Sequence, residues 1–414
     1  MRTPGAPEGD DGLVDVRLDA LAPGGDAVGR QEGGAHDGRA TFVALGAPGE
    51  QVQARVSRHK ARVAWADLLE VRQPSPSRVS PPCRFFGQCG GCQWQHVDLA
   101  AQRAAKRAIV TRALGLPDVR LVEPVPGGQG YRDRVRLVVG NDGEIGFRAR
   151  RSHSVVDVDW CLLLGPELRP PLAALRASAA QLPAATEIDL QTGRKGVHVL
   201  LRLPPLSRVV DGERLLTTWR SAGIVGVQVI DARGMHLAGE PDVDVSESGG
   251  PPLRIPAGGF AQVGRAANAA LLEVVLDQIG TNAGSLLELY AGSGNFTRHL
   301  IGRAARVVAC EGDAAAAGRG RAQVSGATWH QYPPRVVDAD TVLVDPPRAG
   351  LDQPNLAAAI KARRRIVYVS CDPQTLGRDA AKILQSGFTL KYALALDLMP
   401  HTFHVEVVAV FDRG

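Results

Sequence analysis

Ser285-Leu286-Leu287-Glu288-Leu289-Tyr290-Ala291-Gly292-Ser293-Gly294-Asn295-Phe296-Thr297 reads as an apolar strand running into a glycine turn. Glycines at such a strand-to-helix turn let the backbone come close to a nucleotide-like ligand. Only one Gly-x-Gly is present and the third glycine of the dinucleotide fingerprint is missing, so a pyrophosphate has little support. A second strand, Arg306–Cys310, ends in Glu311, whose carboxylate can hydrogen-bond both hydroxyls of a ribose. Gly292 and Gly294 with Glu311 therefore fit an adenosine-type cofactor without a pyrophosphate, S-adenosylmethionine being the obvious case. Around this unit the last third of the chain alternates helix (Ala266–Ile279), strand, glycine loop, helix and strand, the pattern of a doubly wound parallel sheet.

Two further segments place reactive groups at strand ends of that sheet. Asp345-Pro346-Pro347-Arg348 follows the strand Thr341–Val344, and its prolines stiffen the exit and hold Asp345 at the sheet edge. Cys371 follows the β-branched run Ile366-Val367-Tyr368-Val369, and Glu406 lies further on in His401-Thr402-Phe403-His404-Val405-Glu406. Ligands of open α/β sheets bind at the carboxyl ends of strands. A cysteine is by default a small buried hydrophobe, but a thiol and a carboxylate both following a nucleotide-type loop point to covalent catalysis.

With 414 residues the chain exceeds one ordinary core and calls for two or three domains. Its mild basicity, +5 at neutral pH, comes almost wholly from arginine, since only six of the 48 basic residues are lysine. Arginine matches phosphate geometry and stacks on bases, so a polyanionic partner is expected. No signal-like run opens the chain and no apolar stretch is long enough to span a bilayer, which leads us to expect a cytoplasmic protein with no membrane partner, acting as a monomer. In that compartment its six cysteines serve metal binding or catalysis better than disulfides.

Residues 1–12 are polar and Gly/Pro-rich and are expected to be disordered. Within 13–75, strand-like runs at Val14–Leu18, Ala40–Ala44, Gln51–Val56 and Arg62–Leu69 suggest a small β-barrel. Residues 76–255 read as a mostly β central domain. Leu99–Leu114 is helical, with Arg103, Lys106, Arg107 and Arg112 on its polar side, and can pack on the C-terminal domain. Strands at Val135–Val139 and Gly196–Leu203 follow, interrupted by one helix candidate at Pro171–Gln181. Residues 256–414 form the Rossmann-like C-terminal domain, so the fold class is multidomain α/β. Cys83, Cys89 and Cys92 with the distant Cys161 can complete a thiolate tetrahedron for zinc or for an iron–sulfur cluster, and spacing alone does not separate the two. Arg132, Arg134 and Arg136, spaced to one face of a strand, then Arg148, Arg150 and Arg151, form either a grip on RNA phosphates or a solvated sheet face.

Taken together, Glu-Leu-Tyr-Ala-Gly-Ser-Gly-Asn-Phe, Asp-Pro-Pro-Arg-Ala-Gly, Ser-Cys-Asp-Pro-x-Thr-Leu, Pro-His-Thr-x-His-x-Glu and Phe260-Ala261-Gln262-Val263 resemble the RNA (uracil-5-)-methyltransferase family. Residues 13–75 are similar to its TRAM domain, an OB-like RNA-binding barrel, and Cys83-x5-Cys89-Gly90-Gly91-Cys92 to its iron–sulfur segment, so nearly the whole chain is covered. The resemblance implies S-adenosylmethionine and a [4Fe–4S] cluster as cofactors. It also implies 5-methyluridine in structured RNA as product, with 23S ribosomal RNA preferred over the transfer-RNA T-loop as substrate. C5 of uracil is a poor nucleophile, and a thiolate adding to C6 creates an enolate whose charge reaches C5. Carried over by motif position, Cys371 is the nucleophile and Glu406 the general base that removes the C5 proton. Gln262, Tyr290, Asn295, Glu311 and Asp345 line the cofactor site, Phe260 stacks on the target base, and Arg132 and Arg134 contact RNA.

Three positions depart from the family pattern. Asp372 stands where Asn is usual, and its charge is expected to raise the pKa of Cys371. Gly264 replaces an Asn, and Tyr332 occupies a region where a polar residue usually contacts adenine. Two rival classes bear on the same residues: an amino-group methyltransferase, which needs the Asp-Pro-Pro turn but no thiol, and a non-catalytic RNA-binding factor with a decayed cofactor site.

Overall fold

The computed structural model describes residues 12–248, 250–332 and 338–414, so the expected disorder of 1–12 lies, except for residue 12, outside the described residues. Strands β1 (Leu13–Leu21), β2 (Ala27–Glu32), β3 (Ala40–Ala44), β4 (Gln51–Lys60) and β5 (Val63–Gln73) close into a barrel in the order β1-β2-β3-β5-β4. The sequence pattern signals four of these and misses β2, whose inward residues Ala27, Gly29 and Gln31 are too small or too polar to print a strand. Gly29 is required by close approach, because a Cβ there would lie 1.9 Å from the Arg17 carbonyl oxygen of β1.

Helix α1 spans Leu99–Leu114, as expected. Asp98 caps its start by accepting from the Ala101 N–H at 2.8 Å, and Gly115 ends it in the left-handed conformation. The shared solvated side expected for its basic residues is not what folds. Lys106 is fully buried, and its Nζ donates to Asp397 Oδ1 at 2.5 Å and to the Met399 carbonyl at 3.0 Å. Ile109 joins the barrel core while Val110 joins the core under the C-terminal sheet. The helix is thus wedged between two bodies, and a single periodicity cannot announce a second packing partner. Removing one member of a buried ion pair strands the other charge. Lys106→Met is therefore expected to lower unfolding stability by about 3–5 kcal/mol, read from the denaturant midpoint. Lys106→Met with Asp397→Leu should recover most of that loss.

The middle of the chain forms a seven-stranded sheet from β7 (Arg134–Val139), β8 (Ile145–Arg148), β9 (Val155–Asp157), β10 (Glu187–Thr192), β11 (Val197–Arg202), β12 (Ile224–Asp231) and β13 (Gly234–Gly239). Its order is β13-β12-β11-β10-β7-β8-β9. Helices α2 (Arg169–Ala177) and α3 (Gly212–Trp219) bury Leu172, Leu175, Leu216 and Trp219 against it. The α3 helix, only eight residues long, is not foreseen by the sequence pattern; Asp211 caps it by accepting from Glu213 and Arg214 N–H groups. A short pair, β14 (Asp242–Asp244) and β15 (Arg254–Pro256), leads out of this unit.

The C-terminal part alternates α4 (Arg265–Ile279), β16 (Ser285–Leu289), α5 (Thr297–Leu300), β17 (Arg306–Cys310), α6 (Ala314–Gln323), β18 (Ala327–His330), β19 (Thr341–Val344), α7 (Gln353–Ala359), β20 (Arg365–Ser370), α8 (Pro373–Gln385), β21 (Phe388–Leu396) and β22 (Glu406–Arg413). Its strands order as β18-β17-β16-β19-β20-β22-β21, parallel except for β22. An eighth strand, β6 (Arg120–Val122), adds to β21 at the far edge. Residues 99–122, grouped by sequence with the central domain, therefore pack on the C-terminal sheet, because their apolar residues Val110, Val119 and Leu121 find that core. Strand order reverses between β16 and β19, the switch point where open α/β sheets bind ligands. Among the described residues no helix is long and apolar enough to cross a membrane.

Candidate active site

Five consecutive strands of the C-terminal sheet present functional groups at one edge. The residue following β17 is Glu311, that following β16 is Tyr290, that following β19 is Asp345, that following β20 is Cys371, and β22 begins with Glu406. The register pairs Cys310 with Leu289, Leu289 with Val344, and Val344 with Tyr368, which lays these ends side by side. Because β20 and β22 are antiparallel with Ser370 opposite Val407, Cys371 and Glu406 face each other across the end of that ladder. A thiol and a carboxyl group separated by 34 residues of sequence are thus brought together by register alone.

One half of the edge is built by the turn after β16. Tyr290, Gly292 and Gly294 all take positive φ, 63°, 58° and 98°, a region glycine occupies without steric cost. Glu311 clamps this turn: one carboxylate oxygen accepts from the Gly292 N–H at 2.7 Å and the other from the Asp313 N–H at 2.7 Å. Each oxygen keeps a lone pair for a ribose hydroxyl. The Asn295 side chain is committed to a reciprocal amide pair with Asn268 of α4, at 3.0 and 2.8 Å. The Tyr290 hydroxyl accepts from Asn355 Nδ2 at 3.0 Å, turning the phenol tip toward α7. Beneath the turn lies an acid to which the sequence assigns no role. Glu288 is buried, accepts from Thr297 Oγ1 at 2.7 Å, and is pushed up to about 8 by burial, with Asp345 and Glu311 adding to the rise.

Electrostatics at the other half favour neutral acids. Burial raises Asp345 to about 7, and burial plus Asp345 raises Glu406 well above the usual carboxylate range. The half-buried Cys371 thiol is pushed up to about 11 by burial and then by Glu406, while the guanidinium of Arg348 opposes the rise. Arg348 also meets His404 Nε2 at 3.2 Å; both residues sit inside quoted motifs but went unassigned on sequence. Asp372 does not act on the thiol as expected. Its carboxylate caps α8 instead, accepting from the N–H groups of Gln374 (2.9 Å) and Thr375 (3.1 Å).

Phe260 is 75% exposed and Gln262 half-buried, both in the segment that enters α4. The Gly264 departure has a steric cause, since a Cβ there would stand 2.0 Å from the Tyr131 carbonyl oxygen. The cap that an Asn would have supplied comes instead from Asp133, whose Oδ2 accepts from the Arg265 N–H at 2.6 Å. Tyr332 is exposed, and its carbonyl accepts from the buried Cys310 thiol, which packs as expected.

Arg134 and Arg136 share one face of β7 beside Asp189, as expected, whereas Arg132 precedes the strand. Arg134 donates to the Ala261 carbonyl at 3.1 Å, bracing the Phe260 segment. Arg136 pairs with Asp189 at 2.9 Å, and Arg150 and Arg151 both reach Asp26 of the barrel at 2.5 Å. Arg132 precedes β7 and turns into a cavity of about 200 Å³ that Cys83, Cys89, Cys92 and Cys161 also line. Its Nε is buried without a hydrogen-bond partner among the described residues. Burial pushes Cys89 up to about 11 and Cys92 to about 12. Among the described residues no three His, Cys, Asp or Glu side chains converge closely enough for a single metal ion; the four thiols face a shared space instead.

The tRNA (Uracil-5-)-methyltransferase family matches residues 252–325 and 335–413. The 23S rRNA (uracil(1939)-C(5))-methyltransferase RlmD of Chromohalobacter salexigens is 33% identical, over 98% of this chain and 90% of its own length. That of Pectobacterium carotovorum is 33% identical over 96% and 94%. Among solved structures, the Pyrococcus abyssi tRNA (uracil-54, C5)-methyltransferase in complex with S-adenosyl-L-homocysteine superposes with a TM-score of 0.77 at 25% identity, covering 95% of this chain and 99% of that one. With the strand-edge acids, the glycine turn and the motif cysteine in one row, the chain belongs to the RNA (uracil-5-)-methyltransferase family and is an S-adenosylmethionine-dependent enzyme that methylates C5 of uracil in RNA.

Proposed function

We propose that this enzyme makes 5-methyluridine in 23S ribosomal RNA, in the cytoplasm, with Cys371 as nucleophile and Glu406 as general base. The observation that carries the mechanism is the facing of Cys371 and Glu406 across the β20–β22 ladder end. Full-length similarity to enzymes named for 23S rRNA supports the substrate. The exposed Phe260 ring offers a face for the unstacked base, and the N-terminal barrel, read as TRAM-like, offers an RNA-binding surface.

S-adenosylmethionine supplies an electrophilic methyl group, and the Gly292–Gly294 turn, Glu311, Asp345, Tyr290, Asn295 and Gln262 are the residues assigned to hold it. The Cys371 thiolate would add to C6 of the uracil and leave C5 nucleophilic toward the methyl group that bound S-adenosylmethionine would supply, with S-adenosylhomocysteine as the leaving group. Glu406, neutralised by its surroundings at rest, must be ionised to take the C5 proton. The pair left by that proton re-forms the C5–C6 double bond and expels Cys371 as thiolate. Arg348 is the cation placed to favour thiolate at both ends of this cycle.

The pH dependence follows from the thiol. Well below a pKa raised to about 11, the thiolate fraction grows about tenfold per pH unit. Single-turnover adduct formation on 5-fluorouridine RNA should therefore climb steadily from neutral pH toward pH 9. A flat profile would remove Cys371 ionisation from the rate.

Cys83, Cys89, Cys92 and Cys161 are assigned to a [4Fe–4S] cluster rather than zinc. Four thiols around a shared cavity, rather than closed on one point, suit a cluster, and the guanidinium of Arg132, which lines the same cavity, would supply positive charge beside an anionic cluster. Thiols raised this far by burial ionise only with a bound cation's help. Anaerobically purified protein should show a broad absorbance near the visible blue. Colourless protein with stoichiometric zinc would overturn the assignment.

The function is tested with labelled S-adenosylmethionine and unmodified ribosomal and transfer RNAs, mapping 5-methyluridine by mass spectrometry. Label at a single 23S uridine supports the reading. Label in the T-loop keeps the chemistry and replaces the substrate.

A further inference from the structure

Glu406 opens β22, but the loop before it, 397–405, is held almost entirely by the opposite half of the chain. Lys106 fixes its start through Asp397 and Met399, and the Tyr131 hydroxyl donates to the Pro400 carbonyl at 3.1 Å. Its centre is His401, a non-glycine residue at φ 66°. The His401 carbonyl accepts from the N–H groups of both Gln93 and Trp94, each at 3.0 Å, directly after Cys92. Its own N–H donates to Gln102 Oε1 at 2.8 Å, and its Nδ1 lies 3.2 Å from Gln102 Nε2. The same Gln102 amide donates to the carbonyls of Trp94 (2.9 Å) and Val97 (2.7 Å), so one fully buried side chain joins α1, the cysteine segment and the loop. Burial holds the His401 ring down to about 4, so it is neutral at working pH and Nδ1 can accept. The arrangement holds both backbone groups of His401 and ties them through a fully buried amide, which is what keeps a strained residue in place.

We propose that Gln102 and His401 are positioning residues that clamp the 397–405 loop to the cysteine-bearing segment and thereby set Glu406 against the C5 proton. The proposal rests on Glu406 being the base of the elimination step. A clamp with this purpose acts late in the cycle: cofactor binding, built by the β16 turn on the far side of the edge, and thiol addition proceed without it.

The test uses full-length Gln102→Met, which keeps length and removes every hydrogen bond, with 5-methyluridine formation and denaturant-stable protein–RNA adduct measured on the same natural-uridine RNA. Expected is a turnover loss of about tenfold or more with adduct accumulating, and S-adenosylmethionine affinity within about twofold of wild type. His401→Asn keeps a side-chain acceptor and tolerates positive φ, and should restore near-normal turnover. Normal turnover by Gln102→Met overturns the proposal, as does a parallel fall of adduct and turnover, the mark of a merely structural role. Should Gln102→Met fail to fold, His401→Gly keeps the backbone conformation, removes the ring and is read by the same outcomes. Glu406→Gln is the control: if it accumulates no adduct, the base assignment itself has failed and the clamp proposal falls with it, whereas adduct with Glu406→Gln but not with the clamp variants refutes the clamp alone.

Discussion

Glu406→Gln is expected to convert the enzyme into one that captures its RNA and does not release it. Glutamine matches glutamate in size, and the site is closed around it, with Glu406 only 4% exposed, so the fold is expected to survive. Cys371 still adds to C6 and C5 still takes the methyl, but no group remains to remove the C5 proton. Turnover should fall by about 10²–10⁴-fold, while a denaturant-stable protein–RNA adduct carrying the new methyl accumulates to near enzyme stoichiometry. A variant that turned over normally, or that never formed adduct, would end the case for Glu406 as base.

With Cys371 as the proposed nucleophile, Cys371→Ala is expected to remove the step on which everything later depends. Without thiol addition C5 stays a weak nucleophile, and methyl transfer should drop by at least about 10⁴-fold, as when a covalent nucleophile is deleted from other enzymes. Affinity for S-adenosylmethionine, measured by calorimetry, should stay within about twofold. Cys371 follows β20, three strands from the β17 end that carries Glu311. No adduct should form at any pH. Residual methylation at more than a few per cent of the wild-type rate would mean that C5 is activated in some other way.

Much of this site is legible in the sequence because its groups sit one residue past apolar strands. Glu311, Tyr290, Asp345 and Cys371 each follow a run whose β character is local, and a doubly wound sheet sends all such ends to the same edge. The glycine turn is equally local, since positive φ at Gly292 and Gly294 is a demand of the turn itself. Charged residues were harder to place. Asp372 reads as a charge beside a nucleophile, yet the first turn of α8 claims it as a cap. Arg150 and Arg151 read as phosphate ligands, yet Asp26, about 125 residues earlier in the barrel, holds both. Ion pairing is decided by whatever lies within a few ångströms in space, which spacing along the chain does not encode.

From its sequence alone this protein was determined to be a multidomain α/β protein with a barrel at residues 13–75, a Rossmann-like C-terminal part, and a cofactor turn, an acid and a cysteine at strand ends. Strand periodicity and turn chemistry act over a few residues, so they survive in one dimension. Only the tertiary structure decided that Lys106 and Asp397 are a buried pair, that Gln102 meets His401 across 299 positions, and that Gly264 is forced by the Tyr131 carbonyl. It also decided that Arg132 faces four thiols and that Cys371 faces Glu406. Apart from the Cys371–Glu406 pair, which β20–β22 register sets, these are contacts between surfaces that meet only after the barrel, the central sheet and the C-terminal sheet have folded against one another, and it is packing in three dimensions that selects the partner.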